Sequence, residues 1–203
     1  MLRKTTLTIS NTQTGDKYYA KSYPDADYDN NGRMEAYETP VYWFYIEGKD
    51  HAGRSKKIKW KALRFMPYWN DPARPSTHYR TKGWVNAGLH QLSKRAVTLY
   101  KPHYSVQNTP SPYDGAIQLR NSFLIHAGPP TLGQPDWGWG SAGCVEIVGN
   151  FNKFKADIQQ LSGSRKPNVD AAIQELVKAR KLWVQVQLAR PPKLRQKRVG
   201  EFR

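Results

Sequence analysis

The chain has 203 residues, 38% of them hydrophobic, with seven tryptophans and a single cysteine, and its 32 Lys plus Arg outnumber 16 Asp plus Glu for a net charge of +16. That is enough for one well-packed domain, and it excludes an intramolecular disulfide; no stretch approaches the roughly 18 apolar residues of a transmembrane helix. The cationic excess predicts attraction to polyanions: nucleic acid, anionic lipid or the acidic polymers of a bacterial envelope.

The opening "MLRKTTLTISNTQTG" lacks the apolar run and small-residue cleavage site of a signal peptide. The expectation is therefore a protein that is cytoplasmic in its producer unless another route exports it. The first third reads as β: "LRKTTLTIS" and "KYYAKSY" flank the turn "NTQTGD", and "VYWFYIE" and "KKIKWKALRFM" flank "GKDHAGRS", which predicts two hairpins.

Between them, "DYDNNGRMEAYE" fits the calcium-loop pattern D-x-[DN]-x-[DN]-G-x5-E. Asp27, Asp29 and Asn31 would supply side-chain oxygens, Arg33 its backbone carbonyl, and Glu38 a bidentate carboxylate, with Gly32 at the sharp turn. Asp25, Asp27, Asp29, Glu35 and Glu38 concentrate five of the sixteen acids within fourteen residues. Such a cluster repels itself unless a cation relieves it, so a structural Ca2+ is one expectation. Pro24 and Pro40 argue against flanking helices, and a polar hairpin turn on Asn31-Gly32 is the other reading.

The three prolines of "PYWNDPARPSTHYR" mark a boundary, so the expected organisation is an N-terminal β unit over 1–75, including the loop at 27–38, and a second domain over 76–190. Short strands follow at "AVTLY", "GAIQL", "SFLIH" and "CVEIV". Two helices come next. Phe151, Phe154, Ile158 and Leu161 share one helical face, with Asn150 as N-cap and Gly163 as stop; Val169, Ala172, Ile173, Leu176 and Val177 make a second stripe. "LWVQVQL" alternates strictly and returns to the sheet. The basic, Pro-containing end at 191–203 predicts a solvated, disordered tail. His51, His78, His90 and His103 lack metal-ligand spacing.

One segment fits no regular element. "HAGPPTLGQPDWGWGSAGC" places five glycines and three prolines among the seventeen residues between His126 and Cys144. Loops longer than about 12 to 15 residues in a compact domain are functional or disordered, and this one is anchored at both ends by apolar strands. If those strands neighbour each other, the imidazole and the thiol meet. A nearby imidazole can take the thiol proton, and backbone N–H groups around Gly143 and Cys144 can form an oxyanion hole. The plainer alternative is a buried cysteine acting as a small hydrophobe beside a structural histidine.

His126, the eighteen-position spacing, Ser141, Gly143, Cys144 and Val145 resemble the signature of the L,D-transpeptidase catalytic domain, also called the YkuD domain. "NTPSPYDGAIQL" is loosely similar to that family's Thr-Pro-x-Gly-x-Phe stretch. The resemblance covers roughly residues 85 to 150. Two positions depart from it: Ala142 stands where the family has histidine, and Glu146 where Arg or Asn is usual. Cys144 and Glu146 would point to one face of a strand, so Glu146 would line the site.

The fold implied by the resemblance is α+β and mainly β, a YkuD-like mixed sheet or β-sandwich with two helices after the cysteine and an N-terminal β-hairpin unit. The activity implied is transpeptidase or carboxypeptidase chemistry on peptidoglycan stem tetrapeptides through a Cys144 thioester, with no catalytic cofactor. His126 would be base and then acid, Ser141 would shape the turn, and Trp137 or Trp139 would wall the cleft. Without a leader, such a protein fits an antibacterial effector delivered by a secretion apparatus, acting in the periplasm or cell wall and neutralised in its producer by an immunity protein. A noncatalytic wall-binding module with a decayed site is the second reading. A nucleic-acid binder is the third, resting on charge and on Trp60, Tyr68 and Trp69 among basic residues; no specific nucleic-acid motif supports it.

Overall fold

The computed structural model describes residues 1–23, 26–27, 31–68, 80–83, 87–92, 97–100, 113–120, 123–133, 138, 140–141 and 143–201. The chain is α+β and mainly β. Its strands are β1 (Thr5–Lys21), β2 (Arg33–Lys49), β3 (Ser55–Leu63), β4 (Phe65–Tyr68), β5 (Arg80–Gly83), β6 (Gly88–Gln91), β7 (Val97–Tyr100), β8 (Tyr113–Arg120), β9 (Phe123–Ala127), β10 (Val145–Val148), β11 (Leu182–Val186) and β12 (Arg195–Glu201). Its helices are α1 (Phe151–Ser162) and α2 (Val169–Lys178).

Ten strands form one mixed sheet in the order β6-β11-β1-β2-β3-β10-β9-β8-β7, with β12 added to β2; β4 and β5 pair separately. The β1–β11 and β9–β10 pairs are parallel. Strand side chains alternate between faces, so register fixes which residues share a side. Ile9, Phe44, Ala62, Ile125, Val145, Ile147 and Val184 point to one side, where Phe154, Ile158, Leu161, Ile173 and Leu176 of the two helices cover them. Each fully buried Val, Leu, Ile or Phe among them contributes about 1.5–3 kcal/mol of transfer free energy. The helices begin and end as their sequences direct. Asn150 accepts from the Lys153 N–H at 2.9 Å, and Gly163 takes the left-handed conformation at φ 72° after α1.

Three sequence expectations change. The turn "NTQTGD" does not make a hairpin, because β1 runs straight through it. Between Ile9 and Gln13, and again between Gln13 and Lys17, β1 advances four residues while β2 advances two (Phe44 to Tyr42, Tyr42 to Pro40). The polar insertion is absorbed as bulges, with Asn11, Thr12, Gln13 and Gly15 exposed. A fully buried arginine secures the first bulge. The Arg64 guanidinium donates from Nη1 to the Ser10 carbonyl at 2.9 Å and from Nη2 to the Gln187 carbonyl, and burial lowers its pKa only to about 10, so it stays charged. The second expected hairpin, β2 with β3, is present.

The N-terminal strands are also not a separate unit. β3 pairs with β10 and β1 with β11, so residues on both sides of the expected 75/76 boundary share one sheet and one helix-covered core.

The basic tail, finally, is not merely solvated: β12 pairs antiparallel with the first part of β2. β3 covers β2 only from Tyr42 onward, leaving an open edge at residues 33–38. The register sets Arg195 opposite Glu38, Arg198 opposite Glu35 and Glu201 opposite Arg33, so the tail's backbone fills that edge.

Arg64→Met should leave the buried Ser10 carbonyl and the part-buried Gln187 carbonyl without their charged donor. A loss of about 2–4 kcal/mol is expected. For a chain of this size that is a fall in Tm of roughly 5–15 °C, read by thermal denaturation.

Candidate functional site

On the side of the sheet away from the helices, a second layer begins at β9 and β10. Register pairs Glu146 with His126 across the parallel β9–β10 ladder and with Leu63 across β3. Cys144 lies one residue before β10 and, two residues from Glu146, shares its face; it packs with Ala116 and Leu124. His126, Cys144 and Glu146 therefore occupy one face of two adjacent strands. Extending the register by one residue leaves the Cα atoms of His126 and Cys144 roughly 8 Å apart on the diagonal, within reach of the two side chains.

The glycine-rich loop covers this face. It is pinned at both ends and in the middle: Gly128 N–H donates to the Ile147 carbonyl at 2.8 Å, Gly149 N–H to the Pro129 carbonyl at 2.9 Å, and Gly138 N–H to the Tyr18 hydroxyl at 2.6 Å. Lys21 N–H in turn donates to the Gly138 carbonyl at 2.9 Å. Two glycines are required by contact. A Cβ on Gly128 would sit 2.8 Å from the Ile147 carbonyl and 2.9 Å from the Glu146 Cβ; one on Gly143, at φ 133°, would lie 2.5 Å from the Phe123 ring. Ser141, buried, donates through Oγ to the Cys144 carbonyl and closes the turn that presents the thiol. Trp137, Trp139 and Ala142 lie outside the described residues.

The imidazole is fully buried, and its Nδ1 is 2.7 Å from the Ala127 carbonyl. A carbonyl only accepts, so Nδ1 carries the hydrogen and Nε2 is left with its lone pair. Burial holds the His126 pKa down at about 4, against a smaller upward pull from that carbonyl, so the ring is neutral at neutral pH. Burial alone pushes the Glu146 carboxyl well above the usual carboxylate range, and its buried Oε2 has no hydrogen-bond partner among the described residues. The face thus holds a neutral base and a carboxyl biased towards its protonated form beside a thiol that keeps 8% of its surface exposed. A thiol and a neutral imidazole on one face are the groups that a proton transfer needs as sulfur attacks an electrophilic carbonyl.

Sequence reasoning did not find Tyr18. Its buried ring lies in the layer with Ala20, Val41, Leu63, Val148 and Leu132, and its hydroxyl anchors the loop. No local pattern signals a contact 120 residues away.

The acidic loop is described at Ala26 and Asp27 and from Asn31 onward. The Asp27 carboxylate accepts from the N–H groups of Asn31 and Gly32 at 3.0 and 2.9 Å, and Asn31 Oδ1 accepts from Arg33 N–H at 2.9 Å. Glu35 N–H donates to the Ala26 carbonyl, while Glu38 stands in β2 opposite Tyr19, three residues and roughly 10 Å farther along the strand. Asp29 lies outside the described residues, and no group of three or more metal-ligating side chains occurs among the described residues. The β12 register sets Arg198 opposite Glu35 and Arg195 opposite Glu38. His51 is exposed in a turn and His90 lies in β6; His78 and His103 fall outside the described residues. No described helix is long and apolar enough to cross a membrane.

Compared with protein-family models, characterised proteins and solved structures, the chain gives no significant match to any of them.

Proposed function

We propose that the chain is a cysteine acyltransferase acting on peptidoglycan stem tetrapeptides, as an L,D-transpeptidase or L,D-carboxypeptidase. The observation that carries the reading is the register that sets His126 and Cys144 on one face of neighbouring strands, beneath a loop closed by Ser141 and Gly143. In this reading the Cys144 sulfur attacks the carbonyl of the third stem residue while Nε2 of His126 takes the thiol proton. The proton then goes to the departing amine of the terminal D-alanine. An amine, or water, opens the thioester and returns the thiol.

The burial of His126 and the slight exposure of Cys144 favour a second reading, a wall-binding module that no longer turns over. Mass spectrometry after incubation with muropeptides, and separately with a carbapenem, decides between them. The expected result is a covalent adduct that Cys144→Ala abolishes. No adduct in either incubation, with peptidoglycan still pulled down, establishes the module instead. Delivery by a secretion apparatus is tested by adding a periplasmic signal: lysis or rounding should require both the signal and Cys144.

A further inference from the structure

Among the described residues, the face that carries Cys144 continues uncovered beyond the loop. On β3 the residues sharing it are Leu63, Lys61, Lys59 and Lys57; on β2 they are Trp43, Tyr45 and Glu47. Lys59 is exposed, and Lys57 and Lys61 keep 49% and 40% of their side-chain surface. Because β3 runs antiparallel to β10, this lysine row leads away from the thiol, with roughly 7 Å between successive members. It ends at a cleft of about 760 Å³ formed where the chain start meets the β2–β3 turn. Arg3, Lys4, Lys49, Lys56 and Lys57 line that cleft with one acid, Glu47, which is already engaged by Lys57 at 3.0 Å and by the Thr8 hydroxyl. Arg3 is held by the carbonyls of Lys49 and Leu161, which fix its guanidinium without neutralising it. Five cations against one carboxylate make a built anion site at the end of the sheet, some eight or more residues of strand, roughly 25–30 Å, from Cys144; Lys4, Lys49 and Lys57 share the thiol's face, while Arg3 and Lys56 lie on the helix side.

We infer that this cleft and the lysine row leading from it bind a carboxylate-bearing polymer strand, a remote part of the chain whose stem peptide reaches the thiol. The cleft stands on its own charge and shape; the identification of the polymer as cell wall rests on the reading of Cys144 and His126 given above. One feature favours a carboxylate polymer over nucleic acid. The rings that could stack on bases are capped instead: Lys57 Nζ sits 3.8 Å from the Tyr45 centroid, Lys59 Nζ 5.4 Å from Trp43 and Lys4 Nζ 4.7 Å from Trp183.

The test uses the full chain and a triple variant, Lys4→Gln, Lys56→Gln and Lys59→Gln, all exposed and none in the candidate catalytic group. Sedimentation with purified peptidoglycan sacculi and fluorescence anisotropy with labelled polygalacturonate should both weaken at least tenfold in the variant, and in the wild type on raising salt. The carbapenem adduct, which needs no polymer, should form in both proteins at the same rate. Unchanged binding in the variant, or tighter binding of oligo(dT) than of polygalacturonate at equal salt, overturns the inference. Absence of the carbapenem adduct with polymer binding still lost in the variant would instead remove the catalytic reading and leave the anion cleft standing.

Discussion

His126→Ala should slow acylation of Cys144 by about 10²–10⁴-fold while leaving the protein folded, the range that a positioned general base supplies. The site explains why the loss is large. With the His126 pKa at about 4 and an ordinary thiol near 8.5, resting transfer of the proton to the imidazole is uphill by roughly 4–5 units, about 6 kcal/mol. The resting state is therefore thiol and neutral imidazole, not an ion pair. The base works only as the sulfur–carbon bond forms, when the acidity of the attacking thiol rises. Removing the ring leaves hydroxide or water to take the proton, so the variant's acylation rate should climb with pH through the thiol range. Exogenous imidazole should restore part of it. Stopped-flow acylation by a carbapenem from pH 5 to 9 measures both. A rate within threefold of wild type across that range would show that the imidazole is packing and not a base.

How much of this was legible without coordinates depends on the range of the interaction that decides each element. α1 is a local object: Asn150, the Phe151–Phe154–Ile158–Leu161 stripe and Gly163 lie within fourteen residues, and the helix follows them closely. The His126–Cys144 juxtaposition also followed from local sequence, because two apolar strands bracketing a glycine-rich loop have few ways to lie other than side by side. The course of β1 was not local. "NTQTGD" has the composition of a turn, and what keeps the strand running is a guanidinium from residue 64 bonded to residues 10 and 187. The tail likewise looks disordered by composition; its strand pairs where β2 overruns β3 and offers an open edge. The open lysine face was hidden for the same reason. Lys57, Lys59 and Lys61 read as one solvated strand, and only the pairing of β3 with β10 sets them in line with the thiol.

Glu146→Gln should make the protein more stable than wild type by a margin that grows with pH. A carboxyl whose folded pKa lies above its unfolded value binds its proton more tightly in the folded state. It therefore costs stability as pH rises from about 4.5 through the raised folded value. His126 acts in the other direction. Its folded pKa of about 4 lies below the ordinary 6.5, so stability is gained as pH rises across that window and lost as pH falls through it, by roughly 3 kcal/mol in total. Where the two windows overlap, above about pH 4.5, the slopes oppose each other, each at most about 1.4 kcal/mol per pH unit. Wherever the Glu146 slope runs on beyond the His126 window, the wild type should weaken relative to the glutamine variant until the pH passes the raised folded value. Taking the difference between the two proteins removes every other titrating group, including Asp16 and Asp50, whose carboxyls are held below the ordinary range by Lys61 and Arg54. Urea denaturation at half-unit steps from pH 5 to 9 supplies that difference. A margin that stays flat over this range would mean that the carboxyl reaches water or a cation in solution, and the neutral face drawn for the thiol would have to be redrawn with a charge at its centre.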